Sequence, residues 1–371
     1  MASLAEKKRL WWRNSFINAF FIACWFLFST ILSLYNKWMF SAEHFGFPYP
    51  LLVTTMHFCV QFLLAFLLRT LLPQRFRPRQ GPTAADYGKK VAPTAVATGL
   101  DVGLSNLSLK TISLSFFTMV KSSSLIFVLI FAFLFRLEKF SIRLVGVIFL
   151  IFAGVLLMVA TETDFVLFGF LLVISASALG GFRWALTQML LKNKKMGMDN
   201  PVSTIFWLAP VMGITLGTIS FIVDDWAALS KTDFFVGTKT LRTVFFLTMP
   251  GIVAFCMVLS EFTIIQRAGV VPMSIAGIAK EVTTISISAA VFGDSLTPLN
   301  ITGAAITVCG IALFTYHKYR KSLETAVPLD AHGNPISVED SATGADDGRT
   351  AHANLDETAR LTRSSDEFDG V

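Results

Sequence analysis

Four cations and three carboxylates fall inside stretches of this chain that are otherwise apolar: Lys37, Lys121, Arg183 and Lys280, with Asp101, Glu261 and Glu281. An ionisable group at a bilayer centre costs about 2.5–3.5 kcal/mol on insertion scales, so it faces a cavity or a partner and is kept there for a task. Lys121 and Lys280 lie about eight and eleven residues into their apolar runs, too deep for an ammonium to reach an interface easily. At helical spacing Thr118, Lys121 and Ser124 share one face, as do Gly277, Lys280, Thr283 and Thr284. Such faces suit a wet cavity, where a buried ammonium binds phosphate as a point charge. The competing reading is a Lys tied to Asp or Glu across helices, and Asp101, on one face with Thr98, Ser105 and Ser108, fits such a pair. Lys37, near a helix end, suits either snorkelling or the cavity. Arg183, within roughly 12 Å of its helix end, suits snorkelling, gating or solute contact, and Glu261 reads as structural. Four bases against three acids leave the interior neutral to slightly positive. That favours an anionic solute such as a phosphate ester and disfavours a cation.

These residues need membrane-spanning elements to hold them. The 371 residues are 54% hydrophobic and 15% charged, with 36 Phe and a mean hydropathy of +0.63, too apolar for an ordinary soluble domain. Ten apolar runs reach membrane length: 16–40, 50–72, 90–109, 113–135, 141–160, 165–191, 201–223, 241–264, 269–293 and 298–317. Only helices satisfy their own backbone over runs this long in lipid, so the expected class is an all-α polytopic membrane protein. The first run follows Lys7, Lys8 and Arg9 without a clear cleavage site and reads as a retained signal anchor. Cys24, Cys59, Cys256 and Cys309 all lie in these runs and read as packing residues. Gly99-x-x-x-Gly103 and Gly213-x-x-x-Gly217 read as close helix contacts.

Charge orients the runs. With ten helices, 20 Lys and Arg lie in the connections and arms on the side of the termini and 4 on the other. The positive-inside rule then places both termini in the cytosol. From Ser322 the composition changes, with 11 acids against 3 bases in fifty residues. The expected organisation is a cytosolic arm at 1–15, a transporter domain at 16–321 and a disordered cytosolic tail at 322–371. Arg360, Arg363, Ser364 and Ser365 before Asp366 resemble a phosphorylation site of a kind common in tails.

An internal repeat is legible. Met119-Val-Lys-Ser-Ser-Ser leads through an apolar helix to Leu137-Glu-Lys-Phe-Ser, then to a helix bearing Gly146 and Gly154. Ile278-Ala-Lys-Glu-Val-Thr leads likewise to Gly293-Asp-Ser-Leu-Thr, then to a helix bearing Gly303 and Gly310. Two five-helix repeats, about 16–160 and 165–317, would insert with opposite orientation. Inverted repeats are a transporter architecture with the solute at mid-membrane.

Local motifs carry a resemblance. Tyr35-Asn36-Lys37-Trp38, Asn106-Leu-Ser-Leu running into Ser113-Leu-Ser-Phe-Phe-Thr-Met-Val-Lys121, and Ala276-Gly-Ile-Ala-Lys280 resemble the triose-phosphate translocator family of the drug/metabolite transporter superfamily. Leu100-Asp101-Val-Gly-Leu-Ser-Asn106, Gly181-Phe-Arg183-Trp184-Ala-Leu-Thr-Gln188 and Gly277-Ile-Ala-Lys280-Glu281-Val resemble the GDP-fucose-transporter-like branch of the nucleotide-sugar carriers. The resemblance covers roughly 16–320. It implies ten helices, residence in the Golgi or endoplasmic reticulum, and exchange of a cytosolic nucleotide sugar for a lumenal nucleoside monophosphate. Lys121 and Lys280 would hold phosphate, and Tyr35, Asn36, Lys37, Asp101, Asn106, Arg183, Glu281 and Thr284 complete the expected substrate site. One departure separates the alternatives. Plastid sugar-phosphate carriers put Arg after the second Lys, whereas Glu281 follows Lys280 here, and a carboxylate suits a sugar or base better than a lone phosphate.

The expected partners are an anionic small molecule and membrane lipid, without nucleic acid; homo-oligomerisation stays open. No cofactor, metal site or catalytic residue is expected. Only His57 of the five His lies well inside a run, and no Ser/His/Asp cluster or phosphate-cradling Gly loop is present in the sequence. The alternatives to nucleotide-sugar exchange are sugar-phosphate/phosphate antiport and a non-transporting scaffold of the same fold.

Overall fold

Backbone amides without water to bond must close their hydrogen bonds inside the segment. A computed structural model of the chain describes residues 4–40, 43–78, 80–108, 111–112, 117, 120–121, 123–159, 166–193, 196–230, 232–292 and 298–324, and the regular elements among them are helices. The longer ones are α1 (Leu4–Phe40), α2 (Pro50–Leu71), α3 (Ala92–Ser108), α4 (Ser124–Leu134) and α5 (Ile142–Val159), then α6 (Leu167–Leu191), α7 (Pro201–Val223), α8 (Thr238–Ala268), α9 (Val270–Phe292) and α10 (Pro298–Glu324). Five of these, α1, α2, α6, α7 and α8, are long and apolar enough to cross a membrane; α4, α5 and α9 contain shorter apolar stretches. The chain is an all-α membrane protein. Apart from the fourth, whose described part includes α4, each apolar run overlaps one of these helices. α1 begins at Leu4, well before the expected 16, and α10 runs on to Glu324. Part of the fourth run lies outside the described residues, although Val120 and Lys121 are helical. The tail from residue 325 also lies outside them.

Local chemistry sets the ends. Pro50 and Pro201 open α2 and α7, where a missing N–H costs nothing. Asn200 caps α7, its Oδ1 accepting from the Val202 amide at 2.9 Å. α4 ends with Arg136 at φ 56°, while the Leu137 amide reaches back to the Ala132 carbonyl at 2.8 Å, a left-handed cap that glycine normally fills. α8 and α9 meet at Gly269, whose φ of 93° makes a one-residue break between two long helices.

Two units divide the chain. Met1–Asn14 with Lys318–Val371 form one, in which Trp11 stands edge-on to Tyr319 at 4.7 Å. Ser15–His317 form the other, where α2 packs on α7 and α8, α3 on α6 and α7, and α4 on α6 and α9. Small residues allow these approaches. A Cβ at Gly99 would lie 2.8 Å from Thr215, and one at Gly103 2.9 Å from Ile219, so the first glycine pair seats α3 against α7. Gly213 and Gly217 face Phe58 and Thr55 of α2 more loosely, at 3.6 and 3.4 Å. Cys59 and Cys309 are exposed on their helix surfaces rather than packed inside, because helical phase turns them away from the core.

Connections pair at the two ends of this unit. Tyr49 Oη donates to the Asp225 carbonyl at 3.2 Å, joining the α1–α2 and α7–α8 connections. Asn200 Nδ2 donates to the Arg75 carbonyl at 3.1 Å, joining the α2–α3 and α6–α7 connections. Gln266 Nε2 donates to the Asp199 carbonyl, bringing the α8–α9 corner to the second group.

Candidate functional site

Inside the helical unit, charges that sequence reading left separate form one chain of contacts. Lys121 Nζ donates to Asp101 Oδ1 at 2.5 Å and to Ser105 Oγ at 3.0 Å. The other oxygen of Asp101 accepts from Arg183 Nε at 2.9 Å. Arg183 Nη1 reaches Glu261 Oε1 at 3.4 Å, and that oxygen also accepts from Trp184 Nε1 at 2.8 Å. Lys121, Asp101, Arg183 and Glu261 thus alternate in sign across the segment before α4 and helices α3, α6 and α8. Alternation is the arrangement that lets low-dielectric surroundings strengthen attraction while every charge meets its opposite.

Glycines make this closeness available. A Cβ at Gly180 would stand 3.1 Å from Asp101 Oδ2, and one at Gly181 2.7 Å from the Val128 amide nitrogen. Without side chains there, α6 lies against both α3 and α4, and the next turn delivers Arg183 to Asp101. Asp101 is 5% exposed, whereas the Lys121 and Arg183 side chains keep 24% and 18% of their surface. The cations therefore border accessible space and the carboxylate lies behind them. Of the alternatives for Arg183, the geometry has it turned inward onto two carboxylates rather than snorkelling.

Lys280 is positioned by α1. Its Nζ donates to Ser29 Oγ at 3.0 Å and sits 5.0 Å from the centre of the Trp25 ring. Trp25 and Ser29 are four residues apart on one face of α1. Gly277 lies one turn before Lys280 beside the ring, where a Cβ would make only ordinary contact with Trp25 Cη2 at 3.8 Å. Trp25 is 7% exposed, and its Nε1 has no hydrogen-bond partner among the described residues. Asp101, the partner weighed for Lys280 on sequence grounds, is taken by Lys121 and Arg183.

The remaining expected residues divide. Tyr35 Oη donates to the Phe246 carbonyl at 3.0 Å, in an aromatic cluster with Trp38, Phe45 and Phe234 that joins the α1–α2 and α7–α8 connections. Asn36 Oδ1 is buried with no partner among the described residues. Asn106 Nδ2 bonds the Val102 carbonyl of its own helix at 3.0 Å. The side chains of Lys37, Glu281 and Thr284 lie outside the described residues. Sequence reasoning did not single out Trp25 or Ser29; Ser105 entered it only as a neighbour of Asp101 on one face, and Trp184 and Gln188 only within a motif. The Trp25–Ser29 spacing was the available signal for the first two. Gln188 Oε1 accepts from the Val270 amide at 2.8 Å and so caps α9, fixing from α6 the start of the helix that carries Lys280.

Among the described residues no group of His, Cys, Asp and Glu is arranged to hold a metal ion. The contacts instead place ammonium, guanidinium, hydroxyl and indole groups inside a helical bundle, a set suited to an anion bearing a sugar or ring.

The comparisons agree with that chemistry. A probable sugar phosphate/phosphate translocator of Arabidopsis thaliana is 42% identical over 303 residues, covering 81% of this chain and 73% of that protein. YMD8 of Saccharomyces cerevisiae, named as a candidate nucleotide-sugar transporter, is 31% identical, covering 82% of this chain and 85% of its own. The GDP-mannose transporter GONST5 of Arabidopsis thaliana is 25% identical, covering 85% and 91%. The sequence pattern of the Triose-phosphate Transporter family matches residues 17–315, and with inward-facing cations set in a bundle of apolar helices, the chain belongs to that family of transporters.

Proposed function

We propose that the protein exchanges a cytosolic nucleotide sugar for a lumenal nucleoside monophosphate across a Golgi or endoplasmic reticulum membrane. The observation that carries this reading is the placement of Lys280 beside Trp25 and Ser29. An ammonium held on a hydroxyl and over an indole face offers a compact partner for phosphate inside the bundle, and the nucleotide-sugar transporters among the relatives support a nucleotide sugar as its bearer. Lys121 and Arg183 supply further positive charge, with Asp101 and Glu261 holding them while no solute is bound.

Alternating access requires a site that either face can reach in turn. The repeat-related helices α5 and α10 favour such a frame because they meet through their glycines. A Cβ at Gly154 would lie 2.5 Å from Thr307 Oγ1, and one at Gly310 2.6 Å from Ile151 Cγ1. The pairing of connections at two ends fits ten spans with both termini cytosolic. A second reading, sugar-phosphate/phosphate antiport, is favoured by the name of the 42% identical relative.

Proteoliposomes test the two. Vesicles preloaded with nucleoside monophosphate should accumulate labelled GDP-, UDP- or CMP-sugar saturably, while vesicles preloaded with inorganic phosphate should not accumulate triose or hexose phosphate. Lys280→Ala should abolish uptake with membrane insertion intact, and Lys280→Arg should also transport poorly because a planar fork does not replace a compact ammonium. Trp25→Leu, which removes the ring beside the Lys280 ammonium, should raise KM for the transported anion. Uptake of sugar phosphate alone would replace the first reading by the second.

A further inference from the structure

A second cationic cluster lies where α2 runs into the 72–91 connection, apart from the charges described above. Arg69 Cζ stands 4.1 Å from the centre of the Phe206 ring and 5.6 Å from that of Trp207. Arg69 Nη1 and Trp207 Nε1 are both closed off from solvent, and neither has a hydrogen-bond partner among the described residues. Two neighbouring buried donors left unmade are costly, the charged one more so.

The fold builds this place. Ser203 Oγ donates to the Phe76 carbonyl at 2.8 Å, and Asn200 Nδ2 to the Arg75 carbonyl. Tyr87 Oη donates to the Trp207 carbonyl at 3.2 Å. Gly81 passes so close that a Cβ would touch Trp207 Cζ2 at 3.4 Å. Ser203 is one helical turn before Trp207, so the backbone leading into Arg77 is pinned beside the pair. No carboxylate pairs with Arg69 or Arg77 among the described residues. A guanidinium and an indole N–H therefore lie together without an anion, beside the backbone that leads into Arg77.

Depth and surroundings indicate the anion. Arg69 is two residues from the end of an apolar helix, beside Trp207, the combination found at the level of lipid headgroups. Below it on α2, Leu63, Phe66 and Leu67 are exposed, giving an apolar track away from the cluster. A free phosphate has no use for that track, whereas an acyl chain does. We propose that Arg69, Trp207 and Arg77 bind the phosphate of an anionic phospholipid on the cytosolic side, with its acyl chains along Leu63, Phe66 and Leu67, tying α2 to α7. Guanidinium takes the phosphate oxygens through paired N–H bonds and the indole adds a third donor.

Native mass spectrometry of the purified protein in micelles tests this, with phosphatidylcholine and phosphatidylinositol supplied together. The wild type should retain phosphatidylinositol over phosphatidylcholine by about tenfold, because both carry the phosphate but the trimethylammonium of choline cancels the charge that the guanidinium meets. Arg69→Gln should lose most of that preference. Trp207→Phe, which removes the N–H together with one ring of the indole, should lose part of it, and its thermal unfolding midpoint without added lipid shows how much of that loss is packing. Inorganic phosphate should neither displace the lipid nor raise that midpoint. Equal retention by wild type and both variants would overturn the proposal, and displacement by millimolar phosphate would overturn the lipid as occupant.

Discussion

Asp101→Asn is expected to destabilise the protein more than any other single neutralisation in the helical unit. The carboxylate is 5% exposed and serves two cations, Lys121 at 2.5 Å and Arg183 at 2.9 Å. Asparagine keeps one acceptor but turns an NH2 donor toward one of the cations, leaving Glu261 as the acid that still meets Arg183. Removing one partner of a buried ion pair costs about 3–5 kcal/mol. Because Lys121 and Arg183 keep 24% and 18% of their side-chain surface, water offsets part of the loss, and the lower end, about 3 kcal/mol, applies. At roughly 2 °C per kcal/mol for a chain of this size, the unfolding midpoint should fall by about 6 °C. The assay is thermal unfolding of detergent-purified protein, followed by tryptophan fluorescence and by recovery on size exclusion. Asp101→Asn with Lys121→Gln restores the balance of Arg183 against Glu261 and should recover at least half of the loss, a coupling of about 1–3 kcal/mol. A single variant within a degree of the wild type, or strictly additive effects of the two changes, would refute the network as a structural tie.

Gly181→Ala should cost about 1–3 kcal/mol by overpacking, because its Cβ would stand 2.7 Å from the Val128 nitrogen. Gly213→Ala, with Phe58 Cβ at 3.6 Å, should be near neutral, and equal midpoints for the two would remove the close α6–α4 approach. Gln188→Leu should lower stability by about 1–2 kcal/mol by leaving the Val270 amide uncapped; an unchanged midpoint would show the cap to be dispensable. In sealed microsomes, protease added outside should remove tags at Met1 and after Leu323 and spare one in the 224–240 connection, whereas equal accessibility of all three would overturn the ten-span reading. Truncation after Lys321 should leave vesicle uptake intact, and loss of uptake at equal protein content would make the tail part of the transport machinery.

Much of the architecture is written in local pattern. A run of twenty apolar residues with no water to bond has one way to satisfy its amides, so the helices and most of their ends were legible from hydropathy. The intramembrane charges were legible for the same reason, since each is an exception to a steep energetic rule. Their partners were not. Asp101 and Arg183 are 82 residues apart in the chain, and nothing in the spacing of either says that they meet. Lys280 and Ser29 are 251 apart. Helical phase gives the face on which a side chain lies but not the helix opposite that face. That choice was made by close packing at Gly180 and Gly181, where a missing Cβ lets one particular neighbour come near. Local pattern alone makes this a helical membrane protein with ionisable groups held inside it. That Lys121 and Arg183 share one carboxylate while Lys280 stands with Trp25 and Ser29 came only with the folded chain, because pairing across helices depends on contact between distant segments, which no local periodicity encodes.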